Sequence, residues 1–112
     1  MKKDIVQKPE KLTDAELFHL ISDKISSSNY IFLKHARKRQ KDRSVTDLDV
    51  LNILKGGKGR KIKRNKRKDK YEQGQKDWNY CIEGPDIDGK KIRIIVSFNE
   101  ELMLIITVIR PD

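Results

Sequence analysis

The run Lys91-Ile92-Arg93-Ile94-Ile95-Val96-Ser97-Phe98-Asn99-Glu100-Glu101-Leu102-Met103-Leu104-Ile105-Ile106-Thr107-Val108-Ile109 decides the fold class. Ile92, Ile94, Val96 and Phe98 alternate with Lys91, Arg93, Ile95 and Ser97; Leu102, Leu104, Ile106 and Val108 then alternate with Met103, Ile105, Thr107 and Ile109. Successive side chains of a strand point to opposite faces, so this period of two marks two strands, with Asn99-Glu100-Glu101 as the turn between them. Upstream, Trp78, Tyr80 and Ile82 share one face of another strand, opposite Asn79, Cys81 and Glu83. Gly84-Pro85-Asp86-Ile87-Asp88-Gly89 is dense in turn formers and reverses the chain. The pattern predicts a three-stranded antiparallel meander, extended to four by a strand within residues 60–73, where lysines and arginines mask the apolar signal. The last strand is apolar on both faces, which predicts a central strand covered on each side, beside a basic edge carrying Lys91 and Arg93.

The period is helical in the first half. Thr13-Asp14-Ala15-Glu16 is a capping box, and Leu17, Leu20, Ile21 and Ile25 form one apolar stripe, predicting a helix over 14–26 that ends in Ser26-Ser27-Ser28. Asn29 is a candidate cap for a second helix running from Tyr30 to Arg43, apolar at its start and basic at its end. Thr46 with Asp49 three residues on starts a third, buried through Leu51, Ile53 and Leu54 and closed by Gly56-Gly57. Two or three helices before a three- to four-stranded antiparallel sheet make an α+β domain over 12–112, preceded by an aperiodic arm, 1–11.

The 112 residues, 36% of them hydrophobic, suffice for one core. No apolar run approaches the roughly 18 residues that span a bilayer, and the start lacks a signal-peptide core, so the expectation is a cytoplasmic protein without a membrane partner. The single cysteine, Cys81, excludes internal disulfides and cysteine-cluster zinc sites. The net charge of +9 is concentrated: residues 34–43 carry six basic and one acidic side chain, and residues 55–70 carry ten and one. That is the footprint of a protein that meets a polyanion, with nucleic acid as the leading partner and a solvated, solubilising loop as the alternative.

His35, Arg39 and Arg43 recur every four residues, aligning an imidazole and two guanidiniums on one helical stripe. Arginine grips phosphate through two parallel hydrogen bonds, and histidine titrates near neutral pH, so the stripe suits phosphodiester chemistry. The alternative is a half-buried histidine with snorkelling arginines. Segment 55–70 has glycines but not the spacing of a nucleotide-binding phosphate loop; it reads as a basic loop contacting nucleic acid through Lys58, Arg60, Lys61, Lys63, Arg64, Lys66, Arg67 and Lys68. Trp78 and Tyr80 are candidates for base stacking or for the core. Asp86 and Asp88 lack the rest of a calcium loop, so no metal site is expected. His19 reads as an ordinary helix-surface histidine.

The run His35-Ala36-x-x-Arg39-x-x-x-Arg43-Ser44-Val45-Thr46, followed by Asp49-Val50 and the Gly56-Gly57 helix end, resembles the His-Ala-x-x-Arg-Met-x-x-Arg-Gly-Ile-Ser signature of an uncharacterised family of small toxin-like proteins. The resemblance covers about residues 30–109 and includes Thr107-Val108 on the last strand. Gln40 stands where the signature has methionine and Ser44 where it has glycine; the basic insert is longer than usual. The resemblance implies a place among RelE/ParE-like toxins, alongside BrnT: helices packed on an antiparallel sheet, and a toxin partnered by an acidic antitoxin. RelE and BrnT toxins cleave RNA; ParE-like ones poison gyrase.

Three functional expectations follow. The first is a metal- and cofactor-independent endoribonuclease in which Arg39, Arg43 and Arg93 hold the scissile phosphate and its neighbours while His35 or Tyr80 moves a proton. The second is a nucleic-acid-binding module without turnover. The third is a protein-directed toxin.

Overall fold

A computed structural model describes residues 8–56 and 62–111. Helix α1 (Asp14–Ser26) leads into strand β1 (Tyr30–Phe32), then helices α2 (Lys34–Arg43) and α3 (Asp47–Leu54). Strand β2 (Lys63–Arg64) and a 3-10 turn (Lys66–Lys68) precede strands β3 (Tyr80–Pro85), β4 (Lys91–Phe98) and β5 (Met103–Ile109). The strands form one five-stranded mixed sheet, ordered β1-β5-β4-β3-β2. The β3–β4–β5 meander is antiparallel, as its pattern predicts, and β2 adds an antiparallel edge; β1 pairs with β5 in parallel.

Both predicted capping boxes are present: the Thr13 and Thr46 hydroxyls accept from the Glu16 and Asp49 amides, whose carboxylates accept from the cap backbones. Gly56, at φ +65°, follows α3 in the left-handed conformation that a glycine adopts without a Cβ clash. The second helix starts later than its apolar run suggested. Ser28 turns left-handed at φ +60°, and Tyr30, Ile31 and Phe32 pair with Met103, Leu104 and Ile105 instead of coiling. Aromatic and β-branched side chains suit a pleated surface, and β5 offers the free edge that makes strand the better state.

A bulge between Ile95 and Val96 resets the register of β4 on β5: Ile95 faces Thr107 while Val96 faces Ile105, leaving Ile106 as the extra residue. Met103, Ile105 and Val108 consequently share the buried face, which a strict period of two forbids. They join Tyr80, Ile82, Ile92, Ile94, Val96 and Phe98 in a single core that also takes Leu17 and Ile21 from α1, Ala36 from α2, and Val50, Ile53 and Leu54 from α3. All three helices thus contribute to one face of the sheet. The prediction that β5 is central and covered on both sides is corrected: it is interior, between β1 and the central β4, and Leu104, Thr107 and Ile109 remain half-buried on the face without helices. Lys91 and Arg93 also point to that face, from a strand that is interior rather than an edge.

Ser44 adopts φ +56° and ψ +45° at the end of α2, where its amide bonds back to Lys41 and the Val45 amide to Gln40. A side chain costs about 1 kcal/mol in this conformation. Ser44→Gly is therefore expected to stabilise the fold by up to about 1 kcal/mol in urea denaturation, despite the added freedom of the unfolded chain. Gly84→Ala should do the reverse: its Cβ would meet Ile53 Cγ2 at 2.8 Å and Ile62 Cγ2 at 3.0 Å, where α3 lies against β3, for a loss of about 1–3 kcal/mol.

Candidate nucleic-acid interface

Helix α2 has few apolar residues and leans on the core through Ala36 and Gln40. Arg37 lies over the Phe32 ring, 4.3 Å from its centroid, and is ion-paired with Asp47, which also accepts from the Gln40 amide at 2.7 Å. Burial raises the Asp47 carboxyl, but hydrogen bonds from Gln40 and Arg37 outweigh it and hold the group below its usual range. One flank of α2 is thereby tied to the helix layer. At 100° per residue, Arg39 stands about 160° around the helix from Arg37, with His35 and Arg43 about 40° to either side of it. That stripe lies on the flank of α2 opposite the Arg37–Asp47 contact.

His35 and Arg43 are exposed and Arg39 is half-buried. Among the described residues the side chains of His35, Arg39 and Arg43 have no hydrogen-bond or ion-pair partner, nor do those of Lys34, Lys38 and Lys41; the Arg43 carbonyl accepts from Arg110 Nε. Sequence alone left open whether these arginines cap or snorkel; here they present unpaired charge. Ala36, Gln40 and Val45 are buried and Ser44 is left-handed, so packing accounts for one half of the signature-like run. It does not account for His35, Arg39 and Arg43.

The second basic segment borders the opposite edge of the sheet. Lys58, Arg60 and Lys61 lie outside the described residues. Lys63 is exposed on β2, and Lys66, Arg67 and Lys68 are exposed on the 3-10 turn, Lys66 being 3.6 Å from Asp14. Arg64 departs from its expected role. Its side chain is 1% exposed, bonded to Asp69 at 2.9 Å, to Asp14 at 3.0 Å and to the Leu12 carbonyl at 2.6 Å, and it lies over the Tyr80 ring. This guanidinium is a strut and cannot also grip a phosphate.

Tyr80 is likewise corrected. Its ring is fully buried, its hydroxyl donates to Asp77 at 2.7 Å and accepts from the Leu12 amide at 3.2 Å, and burial together with Asp77 pushes its pKa far above the ordinary phenol value. It serves neither proton transfer nor base stacking. Trp78 is half-buried, donates its indole N–H to the Pro9 carbonyl at 2.7 Å and has Lys11 over its ring, which anchors the end of the predicted arm. Asp86 and Asp88 build a turn: Asp86 accepts from the Asp88 and Lys90 amides and from Arg110. Cys81 is buried and its thiol is raised to about 12, chiefly by burial, so it is no nucleophile.

Between the two basic borders lies the helix-free face. Its rows are set by register: Lys63, Glu83, Arg93 and Ile109 across four strands, then Cys81, Ile95 and Thr107, then Ser97, Leu104 and Ile31. Four strand spacings of about 4.8 Å put the borders roughly 19 Å apart. The strand pattern placed Glu83 on this face but gave it no functional role. Its Oε2 accepts from Arg93 Nε at 2.8 Å and Asn65 Nδ2 at 3.1 Å, and its Oε1 is 3.6 Å from Lys91 Nζ. Burial raises this carboxyl, but those hydrogen bonds and the Lys91 and Arg93 charges hold it below the usual range. The cross-strand pairing that sets it against Arg93 comes from the β3–β4 register. A cleft of about 300 Å³ lined by Lys76, Asn99, Glu100, Glu101 and Leu102 sits at the β4–β5 turn, away from all of these groups.

A family model described as a domain of unknown function, DUF4258, matches residues 32–110. That span takes in both basic borders and the face between them. Comparison with curated proteins and with solved structures finds no match.

Removing one member of a buried pair strands the other charge. Arg64→Gln is expected to cost about 3–5 kcal/mol in thermal or urea unfolding, whereas Lys63→Gln and Lys68→Gln should stay within about 0.5 kcal/mol of wild type. Equal effects would show Arg64 to be one more surface cation. Glu83 adds stability that is present above the ordinary glutamate range and lost as pH falls through its lowered folded value. The acid limb of the stability curve should therefore be shallower in Glu83→Gln.

Proposed function

We propose that this chain, which belongs to the DUF4258 family, binds RNA across the helix-free sheet face and cleaves it without a metal, in the manner of the RelE/ParE-like toxins it resembles. The observation that carries this reading is the His35–Arg39–Arg43 stripe, aligned on one flank of α2 and unpaired among the described residues. Unpaired like charges on one short helix repel one another and offer no contact that favours folding, so their use lies in an anion from outside. A phosphodiester chain spanning both borders meets Arg39 and Arg43 on one side, Arg93 and Lys91 midway, and Lys63, Arg67 and Lys68 on the other.

Cleavage by such a surface needs little machinery. The 2′-hydroxyl attacks its own phosphorus, the bond to the 5′-oxygen breaks, and a cyclic phosphate and a 5′-hydroxyl result. Arg39 and Arg43 would stabilise the charge that gathers on the phosphoryl oxygens, and His35 would carry the proton, with Tyr80 withdrawn from the scheme. Unpaired cations of this kind also suit an acidic antitoxin, which would compete with RNA for them.

The test is RNA cleavage by purified protein in the presence of a chelator. His35→Ala is expected to lower turnover by about 10²–10⁴ and Arg39→Ala by about 10²–10³, both without loss of fold because neither side chain has a hydrogen-bond or ion-pair partner among the described residues. Unchanged turnover in both variants would remove them from the mechanism. The loss of Tyr80 leaves His35 as the one proton carrier proposed, which favours as second reading a module that binds RNA without cutting it. That reading predicts affinity without turnover, with a log–log salt slope that falls by about one for each phosphate-contacting arginine removed. Gyrase inhibition by a protein that does not bind nucleic acid would select the protein-directed alternative.

A further inference from the structure

Resting on the RNA reading, we infer that Glu83 and Asn65 are positioning residues that aim the Arg93 guanidinium at a backbone phosphate in the middle of the sheet face. Glu83 and Arg93 lie directly opposite in the β3–β4 register. The contact between them runs through Arg93 Nε alone, at 2.8 Å. Neither terminal nitrogen of Arg93 donates a hydrogen bond within the described residues, and the side chain keeps 19% of its surface exposed. A guanidinium held at Nε keeps its outer edge, the two terminal nitrogens, free for the paired hydrogen bonds that phosphate accepts. Its long side chain is already fixed, so little rotamer entropy remains to be lost on binding.

The carboxylate is fixed in turn. Asn65 donates to the same Oε2 that receives Arg93 Nε, and Lys91 stands beside Oε1. Lys63 occupies the facing position on β2, so three cations surround one anion and the cluster remains net positive. A carboxylate facing an incoming polyanion is repulsive unless it does something that outweighs the repulsion. As a general base Glu83 is badly suited, because its surroundings hold it ionised and weakly basic. As a fixed acceptor for Arg93 Nε it needs only to hold one oxygen in place.

Charge and positioning predict effects of opposite sign. Removing a negative charge from an RNA-binding surface tightens binding if charge alone matters; removing the support of Arg93 weakens it. The measurement is fluorescence anisotropy of a labelled oligouridine, titrated with full-length wild type, Glu83→Ala, Glu83→Gln, Asn65→Ala, Arg93→Ala and the Glu83→Ala, Arg93→Ala pair at about 0.1 M salt, where screening length is about 10 Å. Arg93→Ala and Glu83→Ala should each weaken binding about tenfold, Asn65→Ala less, and the pair no more than Arg93→Ala alone. Glu83→Gln, whose amide oxygen still accepts from Nε, should bind within about threefold of wild type, and it carries the test if the alanine variant fails to fold. Glu83→Ala binding tighter than wild type, Glu83→Gln binding more than about threefold weaker than wild type, or additive losses in the pair, would overturn the inference. Wild-type binding with no loss in Arg93→Ala would overturn it while leaving the RNA reading intact; no wild-type binding would overturn both.

Discussion

One guanidinium ties the parts of this domain together. Arg64 reaches from β2 to Asp69 beyond the 3-10 turn, to Asp14 and the Leu12 carbonyl at the start of α1, and over the ring of Tyr80 in β3. Its partner Asp69 also accepts from the Cys81 amide at 3.0 Å, so the ion pair is bonded into the sheet on both sides. An ion pair with both members out of water is costly unless its remaining donors and acceptors are satisfied. Here Arg64 Nε donates to Asp69 and Nη1 to Asp14 and the Leu12 carbonyl, while the buried Nη2 has only its ion-pair contact with Asp69. A two-residue strand has little to hold it by itself; this contact is what seats the edge strand, and with it the second basic border, against the sheet.

That same residue marks where sequence reading reaches its limit. In a run of ten cations, nothing local separates the one that will be buried from those that stay solvated; the difference lies in Tyr80 and Asp14, which only the fold brings near. Capping boxes at Thr13 and Thr46 were legible because both partners of each sit within one turn. The three-stranded meander was legible because alternation reports directly on burial. Strand β1 was not, since Tyr30-Ile31-Phe32 suits helix and strand alike and only the free edge of β5 decides between them. The bulge at Ile106 was hidden for a related reason: in a strand of branched apolar residues, a shift of phase changes which are buried without changing the pattern of residue types. Of the site, the α2 stripe was legible from its spacing. The engagement of Arg93 by Glu83 was not, because it depends on register across a turn.

The electrostatics divide along the same line. Acidic side chains are placed against particular cations: Asp69 and Asp14 against Arg64, Glu83 against Arg93 and Lys91, Asp86 against Arg110, Asp47 against Arg37. Each such cation holds two or more elements together. Among the described residues, most cations left without a partner lie on α2 and along the β2 border, with Lys55 and Lys90 elsewhere, so the charge excess is what a pairing pattern that satisfies structure first leaves over. Exposed charges a Debye length apart scarcely interact at physiological salt, yet a polyanion that contacts several at once sums their attraction.

Helix α2 shows what this arrangement costs. It has no side-chain N-cap, no acidic residue in its first turn and a left-handed serine at its end, and it buries only Ala36 and Gln40. Lys34 sits at its amino end, where the helix dipole disfavours positive charge. A ten-residue helix of this composition is marginal in water, so its shape is imposed by β1, by β5 and by the Arg37–Asp47 contact. Gln40 adds to the cost, for its Oε1 is buried without a partner. A sequence shaped for stability alone would have placed glutamates among these cations at helical spacing and a glycine at position 44. That it keeps five unpaired cations and a histidine on a helix held by its neighbours is where local preference and the fold part company, and such disagreements collect where a surface is kept for binding.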